Sequence, residues 1–190
     1  MDLHDQVAYH KGTIEDIGGD RWLTLRSMKV PILGIDGYTY AHSSHMQGHA
    51  VAVLPYVDGE EATFLLRNEV VPPWGLEPIF CAITGAWDHE GEDFVQTAAR
   101  ELFEEAGFRV YPEALVPLGT CRGIKSSDDT FHLFAIGVAG LPRQTPPGDG
   151  SLLEQRATTV WCSLDDVARC KDPLVSVMVM RLIQTRGKGF

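Results

Sequence analysis

The sequence predicts an α/β fold: an α/β/α sandwich with a mixed sheet, preceded by a small N-terminal β-hairpin subdomain. Three observations carry this. Short apolar runs of strand length recur at residues 49–56, 62–67, 79–83, 115–122, 130–138 and 158–162. Segments with helical spacing and clear capping residues lie between and after them, so helices are available for both faces of a sheet. Hydrophobic residues make up 44% of the 190, enough for the core of one main domain.

The elements follow in chain order. Residues 1–20 are polar and end in Gly18-Gly19, so they read as a frayed start or an edge strand. Residues 22–30 alternate in β fashion, with Leu23 and Leu25 on one face and Trp22, Thr24, Arg26 and Met28 on the other. Pro31, Gly34 and Gly37 make a turn, and residues 38–43 return as the second strand of a hairpin. A lone hairpin is too small to fold by itself, so residues 1–46 form a β subdomain that leans on the main domain or on a second subunit. The main domain takes residues 47–190.

Within it, residues 49–56 form a strongly apolar strand, Asp58-Gly59 a hairpin turn, and residues 62–67 the returning strand. Pro72, Pro73 and Pro78 mark the next segment as a loop. Residues 79–83 form one short buried strand. The central helix starts at Asp93, a good N-cap, with Gln96 three residues on as in a capping box, and ends at Gly107. Val95, Ala98, Ala99, Leu102 and Ala106 recur at helical spacing and face the core. Two strands follow, separated by the polar loop 124–129. Residues 142–151 form a long proline- and glycine-rich loop, of a kind often used for function. After the strand at 158–162, Ser163 and Asp166 start a short helix, and Asp172-Pro173 starts the last one. Its Leu174, Val177, Met178, Leu182 and Ile183 face inward.

Charge narrows the function. The net charge of -10 argues against nucleic-acid backbones and anionic membranes, which bind basic surfaces. A small anionic substrate remains compatible, because a metal can supply the positive charge. No apolar stretch reaches membrane-spanning length, and no basic start leads into an apolar run. Cys81, Cys121, Cys162 and Cys170 are far apart and form no C-x-x-C pair, so free thiols and a cytoplasmic location are expected. His42, His45 and His49 read as structural strand histidines rather than a metal site. There is no P-loop and no G-x-S-x-G elbow.

One cluster stands out. Glu101, Glu104 and Glu105 stand at i, i+3 and i+4 on one helical face. Like charges at that spacing repel by a few tenths of a kcal/mol per pair. The cluster is either a solvated acidic face or a site for a hard divalent cation, which would reverse the sign of the interaction. Arg100 beside the first acid, and the glycine-rich lead-in, favour the second reading.

The stretch from Gly85 to Phe108 resembles the signature box of the Nudix hydrolases, G-x5-E-x7-R-E-U-x-E-E-x-G-U with U bulky and aliphatic. Glu92, Arg100, Glu101, Leu102, Glu104, Glu105, Gly107 and Phe108 match at the right spacing, while the box glycine falls on Ala86. The wider order of elements resembles the ADP-ribose pyrophosphatases and related nucleotide-sugar hydrolases. The stretches R-W-L-T-L-R, G-H-A-V-A-V-L-P and Pro72-Pro73 carry that likeness, with a lone acid before the last strand, Glu154. Three positions depart from the branch: Ala82 stands for a glutamate, Val71 for an arginine and Ile124 for a proline.

The resemblance implies Mg²⁺-dependent hydrolysis, with Mn²⁺ an alternative ion. Glu101, Glu104, Glu105 and the Gly85 carbonyl would hold the metal, and Arg100 would orient Glu101. Glu154 would act as general base or extra ligand, with Asp149 the runner-up. Trp22 and Tyr40 would hold the nucleotide base, with Arg67 a further substrate contact. The small-molecule nucleotide site would be completed across a homodimer. ADP-ribose is the first expected substrate. A nucleotide sugar such as GDP-mannose is the alternative within this chemistry, and a nucleotide-sensing module without hydrolysis the alternative outside it.

Overall fold

The computed structural model describes residues 2–148 and 156–187. Its first element corrects the expectation for the N-terminus. Asp2 caps a helix, α1 (Leu3–Tyr9), by accepting the Asp5 N–H at 2.8 Å. Val7 of this helix is buried, as is Val30 of the sheet behind it. The edge strand expected before residue 20 is present as β1 (Thr13–Gly19). It joins β2 (Thr24–Val30) and β3 (Ile35–His42) in a three-stranded antiparallel sheet of order β1-β2-β3.

The second sheet is the core of the protein. Its strands are β4 (His49–Val57), β5 (Thr63–Glu69), β6 (Ile79–Cys81), β7 (Ile83–Ala86), β8 (Val116–Arg122), β9 (Thr130–Gly137) and β10 (Thr158–Cys162). The order is β10-β5-β4-β9-β8, with β6 added to β5 and β7 to β4. Among the described strands of this sheet only β4 and β9 pair in parallel, so the sheet is mixed as expected. Successive strand residues point to opposite faces, and the core divides accordingly. Val51, Val53, Leu65, Phe134 and Ile136 pack with Ala98, Leu102 and Ala106 of α2 (Phe94–Ala106). Their neighbours Leu54, Phe64, Leu66, Leu133 and Ala135 pack on the other face. There they meet α3 (Leu164–Arg169) and α4 (Pro173–Arg186) through Val167, Val175, Met178 and Leu182. Helices therefore cover both faces, an α/β/α sandwich. No helix among the described residues is long and apolar enough to cross a membrane.

The single strand expected at 79–83 is two strands. The chain changes partner at Ala82, leaving β5 to pair with β4. The Ala82 N–H donates to Oδ2 of buried Asp172 at 2.8 Å, and Asp172 Oδ1 caps α4 by accepting the Leu174 N–H at 2.9 Å. Burial pushes the Asp172 carboxyl above its usual range, and the two backbone hydrogen bonds oppose that rise. This step delivers β7, and with it Gly85, to the front of α2.

The polar loop 124–129 joins the two sheets. Ala41 of β3 exchanges backbone bonds with it, donating to Ser126 at 2.8 Å and accepting from Asp128 at 3.2 Å. His42 Nδ1 lies 3.0 Å from Asp128 Oδ1, and Ser43 Oγ donates to Asp129 Oδ2 at 2.9 Å. The N-terminal sheet is thus tied to the main domain through an acid-rich turn rather than through an apolar core.

Candidate active site

Helix α2 presents the acidic cluster because its start is locally determined. Asp93 accepts the Gln96 N–H at 2.8 Å, and the Gln96 side chain accepts the Asp93 N–H at 3.0 Å, the reciprocal capping box. From that start, Ala98, Leu102 and Ala106 face the sheet, and Glu101, Glu104 and Glu105 emerge together beside β7 and β5.

The carboxylates do not repel freely, because two arginines are threaded among them. Arg100 Nη1 donates to Glu101 Oε1 at 2.7 Å and to Glu104 Oε2 at 2.9 Å. Its Nε donates to Glu92 Oε2 at 3.2 Å, so the box's first glutamate steadies the arginine. Arg67 of β5 reaches across from the opposite wall. Its Nη1 is 2.7 Å from Glu105 Oε1, and its Nε donates to Glu69 Oε2 at 3.1 Å. Arg67 itself is only 5% exposed. Arg100 thus bridges Glu101 and Glu104 through one nitrogen. Arg67, expected as a substrate contact, holds Glu105.

Gly85 explains why the lead-in needs a glycine. A Cβ there would lie 2.0 Å from the Glu101 carboxyl carbon, so the carboxyl packs directly over the glycine backbone. The crowded position is Gly85, not Ala86. Ala86 lies in extended β7 opposite Ala50, and its φ is not positive, so alanine is unstrained in place of the box glycine. Burial, aided by the Glu104 charge and opposed by Arg100, pushes the Glu101 carboxyl up to about 7.

Two clefts flank this cluster. One, of about 340 Å³, is lined by Thr84, Gly85, Asp88, His89 and the box acids. The other, of about 580 Å³, lies between Glu104, Glu105, Arg67, Arg143, Thr158 and Thr159. Arg143 was not anticipated in the sequence. Its Nε donates to the Ala106 carbonyl at 2.9 Å, one of the carbonyls left unpaired at the end of α2. It also hydrogen-bonds Thr159 and stacks over Phe108 with its guanidinium carbon 5.5 Å from the ring centre. Behind it, Gln144 N–H donates to Gly107 O at 2.9 Å and Gly148 N–H to Glu104 O at 3.0 Å. The segment 143–148 is thus zipped along the last turn of α2. Glu154 and Asp149, the expected base and its alternative, lie outside the described residues.

A second unanticipated group pins the loop after β7. His132 stacks on Phe94 with ring centres 3.5 Å apart, and His49 Nδ1 lies 3.2 Å from His132 Nε2. Trp87 packs on both His49 and Phe94, and its indole N–H donates to the Glu92 carbonyl at 2.8 Å. Burial, and the neighbouring His49, hold His132 down at about 4, so the pair is neutral at pH 7. These residues are distant in sequence and follow no motif, so only the fold reveals them. Of the three histidines read as strand residues, His42 and His49 lie on β3 and β4, but His45 lies on a 3-10 turn between them (Ser44–Met46). Their partners are Asp128 for His42, the Trp22 carbonyl for His45 and His132 for His49.

The two aromatic residues expected to hold a base fall elsewhere. Trp22 is 54% exposed, packed edge-on to His45 with Arg21 over its ring. Tyr40 is 4% exposed and presents no open ring face. Neither lines the two clefts.

The donors fit a hard divalent cation in kind: three carboxylates and a carbonyl, with Glu101 seated where only glycine leaves room. As they stand, no three acidic, histidine or cysteine groups among the described residues converge on one point as ligands do. The guanidiniums of Arg67 and Arg100 hold the oxygens instead.

The NUDIX domain model matches residues 46–180. A solved structure described as an ADP compounds hydrolase is similar over 93% of this chain and 95% of its own, with a TM-score of 0.67 and 20% identity. No curated protein matches the sequence.

Proposed function

The chain belongs to the Nudix family, and from that premise we propose that it hydrolyses the pyrophosphate bond of a nucleoside diphosphate linked to a second group. ADP-ribose is the first substrate on this reading, and Mg²⁺ or Mn²⁺ the ion. The observation that carries it is the acidic cluster itself: Glu101 packed over Gly85, with Glu104 and Glu105 beside it at the mouth of two clefts. The similar structure named for hydrolysis of ADP compounds supports an adenine nucleotide.

Glu101, Glu104, Glu105 and the Gly85 carbonyl would hold the ion. When bound, the ion neutralises pyrophosphate charge and makes a water more acidic for attack. The chain's own residues do the rest. Glu92 holds Arg100, and Arg100 holds Glu101 and Glu104 in one orientation. The His49–His132–Phe94–Trp87 group fixes the loop that carries the cluster's lead-in. Arg143 sets the far wall of the larger cleft, where a second phosphate or its appended group would lie. Glu154 remains the proposed base.

We also propose that two subunits pair through the N-terminal sheets. Leu23 and Leu25, at the start of β2, are 47% and 44% exposed, the sheet is tied to the main domain through polar groups, and Trp22 lies away from its own chain's clefts. A partner's Trp22 would then supply the base-stacking ring, with Tyr40 beneath the sheet supporting it.

The test is direct. Purified protein is incubated with Mg²⁺ and a panel including ADP-ribose and GDP-mannose, with and without chelator, and nucleoside monophosphate is measured. Metal-dependent release of AMP from ADP-ribose is expected. Nucleotide binding without any monophosphate release would instead identify a sensing module.

A further inference from the structure

We propose that Arg67 is an internal counter-cation of the metal site: it holds Glu105 while no ion is bound, an incoming divalent ion on the same carboxylate repels it and loosens that hold, and its Nη edge then faces the anionic substrate in the larger cleft. The inference rests on the metal-dependent reading above and adds to it a residue that couples ion and substrate.

The geometry is specific. Arg67 is buried in β5, in register with Thr159 of β10 on one side and Cys81 of β6 on the other. Its side chain therefore has a fixed root and one direction in which to reach. Its two ends bind different acids. The Nε edge is held by Glu69 at 3.1 Å, and Nη1 is held by Glu105 at 2.7 Å. Glu105 has a side chain 9% exposed, so its charge is largely removed from water and needs a cation close by. Arg67 holds Oε1, one of the two carboxylate oxygens, and a hard divalent ion on the same carboxylate would stand close enough to the guanidinium to repel it. Glu69 is not part of the cluster on α2. It can keep Nε in place while the Nη edge is released, so the arginine is exchanged without being expelled into solvent.

The released edge would lie in the cleft that Arg67 lines with Arg143, Thr158 and Thr159. These are donor groups suited to phosphate oxygens. In a protein of net charge -10, two arginines lining one cleft are a local exception. Ion binding therefore prepares the anion site, and substrate binding in turn holds Arg67 away from Glu105. By linkage the two ligands strengthen each other.

The experiment uses the full chain. Mn²⁺ binding to nucleotide-free protein is measured by the spin-resonance signal of free Mn²⁺, and binding of the non-hydrolysable α,β-methylene-ADP is measured at saturating Mg²⁺. Arg67→Gln should bind Mn²⁺ about tenfold more tightly, the effect of removing a competing charge worth roughly 1.4 kcal/mol. It should bind the analogue about tenfold more weakly. Its gain in Tm on adding Mg²⁺ should exceed that of the wild type. Arg67→Lys, which keeps the charge, should stay nearer the wild type in Mn²⁺ affinity. Unchanged or weaker Mn²⁺ binding in folded Arg67→Gln overturns the counter-cation role, and unchanged analogue binding overturns the substrate role. Should Arg67→Gln not fold, the wild type decides: the Arg67 Nη signals in nitrogen-resolved NMR should shift with Mg²⁺ to saturation, and their failure to move overturns the proposal. The underlying reading is checked separately. Wild-type protein that binds Mn²⁺, and Glu105→Gln that does not, leave that reading standing whatever Arg67→Gln shows.

Discussion

At the scale of single residues, the site turns on two neighbours with opposite demands. Gly85 has no room for a side chain, since a Cβ would meet the Glu101 carboxyl at 2.0 Å, whereas Ala86 lies in ordinary extended strand. Gly85→Ala should push Glu101 aside and lower kcat at least a hundredfold while the fold survives. Ala86→Gly should keep activity within about twofold and lower stability by roughly 0.5–1 kcal/mol, the usual cost of glycine within a strand. Equal losses in the two variants would show that the packing of Glu101 on Gly85 is unimportant. Glu101 also predicts a pH dependence. Its carboxyl is raised from the ordinary 4.5 to about 7, first by burial and then by Glu104. Between those values the folded, metal-free protein binds a proton that the unfolded chain has released. The contribution of Glu101 to stability therefore falls as pH rises through that window and levels above about 7, by an amount on the order of 3 kcal/mol. Mg²⁺ affinity should rise over the same window. In chelator, the wild type should lose stability relative to Glu101→Gln by that amount between pH 5 and 8, read as the difference between their thermal unfolding curves. His132, held down from 6.5 to about 4, contributes the opposite trend over an overlapping window, and because the His49–His132 pair is present in both proteins the difference removes it.

At the scale of elements, the decisive feature is the step from β6 to β7. It costs one sheet hydrogen bond at Ala82, and buried Asp172 replaces it while capping α4 from its other oxygen. One side chain thus joins the strand that carries Gly85 to the helix on the opposite face. Asp172→Ala would leave the Ala82 N–H buried without that acceptor and remove a cap, at about 1–3 and about 1 kcal/mol respectively. A protein of this size should lose roughly 5–15 °C in Tm. Calorimetry checks this, and a loss under 2 °C would mean that water or a backbone shift satisfies the amide. Activity of the folded fraction should also fall, because Gly85 sits three residues beyond the step.

At the scale of the whole molecule, the N-terminal sheet is attached by a turn of acids and serines, and much of its apolar surface faces outward. Pairing of two chains through it predicts a dimer by light scattering at micromolar concentration, and a monomer for Leu25→Asp. A monomeric wild type with full activity would rule out the shared site. Trp22→Ala should raise KM about tenfold to a hundredfold with less change in kcat, since base stacking is worth about 1–3 kcal/mol. Because Trp22 is 54% exposed, its removal should cost far less stability than the about 3–5 kcal/mol of a core tryptophan. Unchanged KM in a dimeric Trp22→Ala protein would end its role as a base platform.

What the sequence determined by itself is whatever rests on neighbours along the chain. Asp93 with Gln96, and Ser163 with Asp166, cap their helices because the partners are three residues apart. The spacing of Glu101, Glu104 and Glu105 sets them on one helical face, and strand alternation sorts Val51 and Val53 from Leu54 and Tyr56 across the sheet. The N-terminal helix carries no such signal, because two turns capped by Asp2 with a single buried valine leave too little periodicity to read. The tertiary structure alone decided which charges meet. Arg67 and Glu105 are 38 residues apart and touch only because β5 lies against α2. Arg143 finds the end of α2, His132 finds His49, and Asp172 finds Ala82 through the same kind of long-range closure. Such pairs carry no local signal. A buried charge is tolerated only where the fold brings an opposite charge to it, so which acids stand beside which arginines is a property of the packed layers and not of any segment.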